Sequence, residues 1–344
     1  MKFGLFGAAT AQRSANPDVD SGAGFKDYIE YVIEAESLGY HSSFIVEHHF
    51  TGFGQVSATL NLLTWIGART TTLRLGTAVI VLPWHDPVLL AEQAATLDLL
   101  SGGRLDFGIG KGYRHNEYVG FRIPMEDGQS RFEESIDIMT KAFTSNERWS
   151  FEGKHWGYED IVVEPPTVQR PHPPFWQGAG HPESIRRVAA RGHNLLLDQF
   201  ASMDETLRRF NIYRDAMIAN GFGFNPNQVA VARAFYVAKD EADKQAAVDR
   251  RIAAQRRLHD ISQRPDGNNT ASIMAFSDTR EASEESALYG NPDEICRKIE
   301  RLQAAGVEYM LLNGGGTSRE NLRRFAKEVM PHFADKAPAK AAAE

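Results

Sequence analysis

Apolar and polar positions alternate along this chain in two rhythms. Short β-branched runs recur, and between them lie longer stretches with apolar residues three and four apart. Phe3 to Gly7 predicts a first strand, and the Ser-, Asn-, Asp- and Gly-rich stretch Ala8 to Gly24 predicts a loop. Phe25, Ile29, Val32, Ile33 and Ala35 make a helical stripe from Phe25 to Leu38, and Gly39 stops it. Phe44 to Val46 opens as a second strand and runs into Glu47-His48-His49-Phe50-Thr51-Gly52-Phe53-Gly54. Ser57 to Arg69 predicts a helix through Leu60, Leu63, Trp65 and Ile66. Leu73 to Leu82 is almost entirely apolar, as expected of a strand buried on both faces. Asp86-Pro87 opens a helix to Leu100, closed by Gly102-Gly103, and Arg104 to Ile109 is a fourth strand.

The rhythm continues. Arg131 to Thr144 predicts a helix, Phe151 to Val163 a hairpin or irregular excursion, and Glu164 to Pro174 an extended proline-rich segment. Strands are expected at Phe175 to Gly178, Asn194 to Asp198, Val229 to Ala238 and Tyr309 to Leu312. Helices are expected at Pro182 to Arg191, Asp204 to Asn220, Glu241 to His259, Pro292 to Ala305 and Arg319 to Phe333. Ser262 to Gly290 reads as a long polar loop, the kind that serves as a lid. Eight strands alternating with helices predict a (β/α)8 TIM barrel with insertions. The expectation is one domain over residues 1–334, with an inserted helix and lid-like loop at about 240–290 and a disordered tail at 335–344. A doubly wound open sheet is the weaker alternative, because no dinucleotide fingerprint opens the chain. In a barrel, catalytic groups sit at the carboxyl ends of the strands. Residues 44–54, Thr77 to Pro83, Gly108 to Tyr118 and Trp176 to Glu183 would then share one mouth.

Composition narrows the function. A net charge of -7 argues against non-specific nucleic-acid binding and against an anionic membrane surface. The single cysteine, Cys296, excludes an intrachain disulfide and a cysteine-rich metal site. The start, Met1 to Gly7, lacks the pattern of a signal peptide, and no apolar run is long enough to span a bilayer. A cytoplasmic protein is expected.

The candidate chemistry clusters at predicted strand ends. His48 and His49 are adjacent, so on a strand they point to opposite faces and make poor ligands for one metal. HExxH spacing is absent, and no bound metal is expected. An acid/base role for one of the two is the better reading, since histidine titrates near neutral pH. Gly108-Ile109-Gly110-Lys111-Gly112 is glycine-rich after a strand but matches neither a P-loop nor a Rossmann spacing. Gly178 to Ser184 leads into a helix with Pro182 in its first turn, where backbone N–H groups and the Ser184 hydroxyl could hold an anion. Asn313 to Ser318 makes the same offer after strand eight, and the residues alone do not choose between them. Phe6, Phe44, Phe50, Phe53, Trp84, Tyr113, Tyr118, Trp176 and Phe200 lie near strand ends, as core, rim or the wall of an apolar pocket. No GxSxG elbow supports a hydrolase.

Through these residues the chain resembles the bacterial-luciferase-like flavin monooxygenases. The resemblance is carried by Glu47 to Gly54, Leu75 to Pro83 and Leu99 to Gly112, and more loosely by Ser130 to Glu134, Gly178 to Arg191 and Gly290 to Glu294. It implies a luciferase-like barrel, reduced FMN (FMNH2) as a dissociable co-substrate, and O2. It further implies a flavin C4a-hydroperoxide that oxidises a small apolar substrate, an aldehyde in the luciferases, in a water-poor pocket. By position, His48 matches the family's catalytic histidine. Ala78-Val79 lies where relatives carry a non-prolyl cis peptide beneath the flavin ring. Gly110 and Lys111, and on the second segment Gly180, His181 and Ser184, match cofactor-binding positions, which favours the strand-four and strand-five ends for the phosphate. Gly110 replaces a cysteine that luciferase α chains carry, which counts against light emission. Lys111 replaces an arginine and loses its bidentate geometry. The resemblance also implies a separate NAD(P)H:flavin reductase and a homodimer through the helices at Ser57–Arg69 and Pro87–Leu100. Rival readings are an F420-dependent dehydrogenase on the same barrel, a non-catalytic flavin-binding partner subunit and a flavin-free hydrolase.

Overall fold

The structure, a computed structural model, describes residues 1–12, 16, 18–262, 267, 271, 273 and 276–334. The first half of the chain runs β1 (Lys2–Gly7), α1 (Ala23–Ser37), β2 (Ser42–Ile45), α2 (Thr59–Arg69), β3 (Arg74–Thr77), β4 (Ile80–Val81), α3 (Pro87–Leu100), β5 (Leu105–Gly110), α4 (His115–Gly120) and α5 (Gly128–Thr144). A hairpin of β6 (Trp149–Glu152) and β7 (Gly157–Ile161) follows. The second half runs β8 (Phe175–Gly178), α6 (Pro182–Ala190), β9 (Asn194–Leu197), α7 (Met203–Ala219), β10 (Val229–Val237), α8 (Glu241–Ile261), α9 (Arg280–Ser286), β11 (Leu288–Gly290), α10 (Pro292–Ala304), β12 (Tyr309–Asn313) and α11 (Arg319–Glu328).

The sheet closes on itself. β1 pairs in parallel with β2 on one side and β12 on the other, and the ladder continues β2-β3-β5-β8-β9-β10-β12. This is the eight-stranded parallel barrel that the sequence predicts, ringed by helices. Local chemistry sets the helix starts. Asp86 accepts from the Val88 and Leu89 N–H groups and Pro87 takes the first helical position of α3. Asn291 and Glu294 form a reciprocal capping box at α10, again with proline in the first turn.

Four places depart from the sequence expectation. Leu73 to Leu82 is not one strand. Gly76 pairs with Asp106 but Ile80 pairs with Ile109, so four steps on one strand face three on the other, and the extra residue breaks the ladder at Ala78-Val79. That peptide bond is cis. The chain then ends in a 3-10 turn, Leu82–Trp84. Second, α4 lies in a stretch to which the sequence assigns no element. Third, Ser262 to Gly290 is not loop throughout, since Thr279 caps α9 and β11 pairs with the far end of β10. Fourth, α11 stops at Glu328 and a 3-10 turn, Met330–Phe333, completes the predicted helix. The tail expected at 335–344 lies outside the described residues, as does most of the stretch between Ser262 and Phe276.

Inside the barrel the lower level is filled by three rings, Phe44, Trp176 and Tyr309, meeting edge to face with centroids 5.6 to 6.4 Å apart. They need room on the wall. A Cβ on Gly76 would stand 2.4 Å from the Phe44 ring, so glycine is required there. The polar edges of the rings are satisfied: Tyr309 donates to Ser42 Oγ and Trp176 Nε1 to Asp106, which Arg74 grips through Nε and Nη2. The carboxyl ends of the strands above this floor stay open.

Candidate functional site

A cavity of about 750 Å³ opens at the carboxyl ends of the strands, the usual place in this architecture. His48, Ala78, Val79, Gly110, Lys111, Gly180, His181 and Ser184, all nominated from the sequence, line it. So do Phe6, Leu196 and Leu311 on the apolar side. Of the aromatic residues named from the sequence, Phe6, Tyr113 and Phe200 line the cavity, whereas Phe44 and Trp176 belong to the floor. Phe50 and Trp84 stack with Phe121 in a cluster nearer the surface.

The end of β2 is held by two carboxylates. Glu47 is buried and accepts from His49 Nε2 at 2.9 Å, His85 Nε2 at 2.7 Å and the Val81 N–H at 2.7 Å. Burial alone would raise its carboxyl group, but these donors outweigh burial and hold it below its ordinary value. The contact fastens β2 to the broken β3-β4 segment. His48 turns the other way and meets Glu117 of α4, with Nδ1 3.1 Å from Oε1. Burial lowers the His48 imidazolium below the usual histidine value, opposed by the Glu117 bond and aided by the Arg114 charge. The sequence suggests that Glu47 and His49 support His48. The structure assigns that contact to Glu117, with the His49 backbone N–H also donating to Glu117 at 3.0 Å. Among the described residues no group of three or more His, Cys, Asp or Glu has metal-holding geometry.

Beside His48, one and two strands along the barrel, β5 meets the broken β3-β4 segment. Gly110 sits against Val79, and a Cβ there would lie 2.4 Å from Val79 Cγ2. Gly108 packs still closer, its would-be Cβ 1.7 Å from the Thr77 carbonyl oxygen. These two glycines let β5 approach the irregular segment, and Ala78, Val79 and Gly110 lie together at the cavity wall.

Two places could take an anion. At the start of α6 no side chain caps the first turn, Pro182 occupies the first helical position, and Ser184 Oγ accepts from Arg187. Lys111 is exposed on the same cavity, and its Nζ has no bonded partner among the described residues. At the loop after β12, Asn313 Oδ1 already accepts the Gly315 N–H, and Thr317 and Arg319 engage the Asp27 carboxylate. Asp27 lines the cavity, whereas Glu183 in the first turn of α6 does not, and a carboxylate beside a phosphate is unfavourable, so the α6 end with Lys111 is the better anion site.

Sequence reasoning missed Glu117 and Arg114. They lie 69 and 66 positions from His48, on or just before a helix of six residues with no readable periodicity. Their polarity in an otherwise unassigned stretch was the available signal.

Comparison with known proteins agrees with this geometry. The family model for luciferase-like monooxygenases matches residues 1–309. The oxygenase component of a flavin-dependent trigonelline monooxygenase from Acinetobacter baylyi is 26% identical over 328 residues, 90% of each chain. An FMNH2-dependent dimethylsulfone monooxygenase from Pseudomonas putida is 25% identical over 279 residues, 77% of this chain and 75% of that one. The crystal structure of the monooxygenase RslO1 from Streptomyces bottropensis superposes with a TM-score of 0.79 at 27% identity, over 97% of this chain and 100% of that one. F420-dependent dehydrogenases are also among the matches. The barrel, its cavity and these matches have one reading: the chain belongs to the luciferase-like monooxygenase family.

Proposed function

We propose that this flavin-dependent monooxygenase uses FMNH2 and O2 to oxidise a small, mainly apolar organic substrate, with His48 as its proton-handling residue. The observation that carries this reading is one cavity with three distinct walls: an apolar side, a close-packed wall where Ala78-Val79 meets Gly110, and a cationic, uncapped helix end. Those walls suit the three parts of a reduced flavin and its substrate. Lys111, the Gly180 and His181 N–H groups just ahead of α6 and the Ser184 N–H in its first turn would hold the phosphate. Ala78, Val79 and Gly110 would bear the ring. When bound, reduced FMN supplies two electrons, so that one atom of O2 enters the substrate and the other leaves as water. The chain's own part is to bind, to exclude water with Phe6, Leu196 and Leu311, and to move a proton at His48 Nε2.

The relative named an oxygenase component supports a separate reductase that delivers FMNH2. A homodimer is supported by α2 and α3, which pack together and expose Trp65 (61%), Leu89, Leu99 and Leu100 (65%). No helix among the described residues is long and apolar enough to cross a membrane, which is consistent with a cytoplasmic enzyme working beside such a reductase.

The test mixes the protein with photoreduced FMN under anaerobic conditions, admits oxygen and follows the flavin absorbance. Bound flavin is expected to reoxidise on a time course distinct from free FMNH2. Reoxidation at the free rate would remove the reading. Tight F420 binding with hydride transfer and no oxygen uptake would put a dehydrogenase in its place, and FMN binding without turnover would favour a partner subunit.

A further inference from the structure

Two adjacent histidines leave β2, and different carboxylates take them. Glu117 Oε1 stands 3.1 Å from His48 Nδ1, accepts the His49 N–H at 3.0 Å and lies 3.8 Å from Arg114 Nη1. The Glu117 and Arg114 side chains are each 2% exposed, so this pair is sealed from bulk water. The His48 ring lines the cavity, and its Nε2 makes no hydrogen bond among the described residues. An ionised carboxylate only accepts hydrogen bonds, so the proton on the Glu117 side of the ring belongs to Nδ1. In water a neutral histidine prefers the opposite tautomer, with the proton on Nε2. We infer that Glu117 is a positioning residue that holds His48 in the Nδ1–H tautomer, leaving the Nε2 lone pair toward the cavity as a general base.

This rests on the proposed role of His48 and adds to it a direction of proton transfer. Arg114 completes the arrangement. A buried carboxylate keeps its charge only with a nearby cation, and Arg114 supplies one at 3.8 Å. Among the described residues its Nε and Nη1 have no hydrogen-bond acceptor, so it acts on Glu117 by charge more than by bonding. The charged groups that face the His48 ring are Glu117 and Arg114 from the α4 side and Glu47 from β2. Burial keeps the ring neutral near pH 7, the form in which a tautomer has meaning.

The experiment is nitrogen NMR on protein labelled at histidine, with His48→Gln to assign the signal. At pH 7.5 the wild type is expected to show a protonated Nδ1 and a bare Nε2. In Glu117→Gln the amide oxygen still accepts, so the tautomer should persist. The lost negative charge should move the His48 titration, and with it the acid limb of kcat/KM, to lower pH. In Glu117→Ala the population should shift toward Nε2–H, and kcat should fall at least about tenfold while FMN affinity is retained. An Nε2–H signal in the wild type, or an unchanged Nδ1–H signal in Glu117→Ala, would overturn the inference. Should Glu117→Ala not fold, the wild-type spectrum and Glu117→Gln still decide it. The two readings separate cleanly. A correct tautomer together with a fully active His48→Ala would strip His48 of its proposed catalytic role and leave Glu117's hold on the ring standing.

Discussion

His48 is where residue-level chemistry concentrates, and its removal has a definite expected outcome. His48→Ala should retain FMN binding, because the proposed phosphate and ring walls are made by other residues, and should lose product formation by about 10²- to 10⁴-fold. Single-turnover product yield after mixing with FMNH2 and O2 checks it. His41 and His193 make a different prediction. Burial, reinforced by the Lys2 charge, lowers His41 from 6.5 to about 4, and burial with the Arg191 charge lowers His193 from 6.5 to about 3. The unfolded chain therefore binds more protons than the folded one between these values. Stability is complete above about pH 6.5 and falls as pH drops toward 4 and then 3. Urea midpoints across that range measure it, and a flat profile would contradict it. At this scale the sequence was half legible. The His48-His49 pair and its strand-end setting could be read directly, but their partners could not, because Glu117 reaches His48 across the fold and nothing local marks it.

Elements hold together through a few buried polar fasteners. Arg104, just ahead of β5, is one of them. Its guanidinium donates to the Gly67, Thr70 and Leu73 carbonyl oxygens, to Thr70 Oγ1 and to the Ser101 carbonyl oxygen. It thus satisfies the loose carbonyls at the end of α2 and ties them to the end of α3. Arg104→Ala should cost about 2–4 kcal/mol, since several carbonyls lose their donors at once. Chemical denaturation should show the loss, and Arg104→Lys should recover only a fraction of it, because an ammonium cannot span five acceptors. Elements were the most legible level. Periodicity, caps and glycine stops placed the long helices and buried strands to within a few residues. It failed at Leu73 to Leu82, where hydrophobicity runs on unbroken through a register slip, and at α4 and α9, which are too short to show a period.

At the scale of the whole molecule, α2 and α3 present an apolar face that the barrel itself does not cover. If two copies meet there, Trp65→Glu combined with Leu100→Glu should convert a dimer to a monomer in sedimentation velocity with little change in far-UV circular dichroism. A wild-type monomer at micromolar concentration would end that reading. The barrel was legible as a whole because β-then-α alternation admits few other solutions. What the pattern could not convey is which carboxyl-end loops close over the cavity, since loop contacts depend on side chains distant in the chain.

β10 carries a consequence of its own. Its first three residues pair with β9 and its last three with β11, while β12 runs along the opposite edge. One backbone therefore closes the barrel and also roots the insertion that begins at α8, using different residues for each. The segment between Val237 and Leu288 is in effect a cassette with both ends pinned to the same strand. Exchanging that cassette would change the part of the cavity lined by Leu258, Ala271 and Ile273 while the floor and the wall at Ala78-Val79 stay as they are. Relatives with one scaffold and many substrates are what such a division of labour would produce, and grafting a foreign cassette at Val237 and Leu288 is the direct way to move substrate choice from one of them to another.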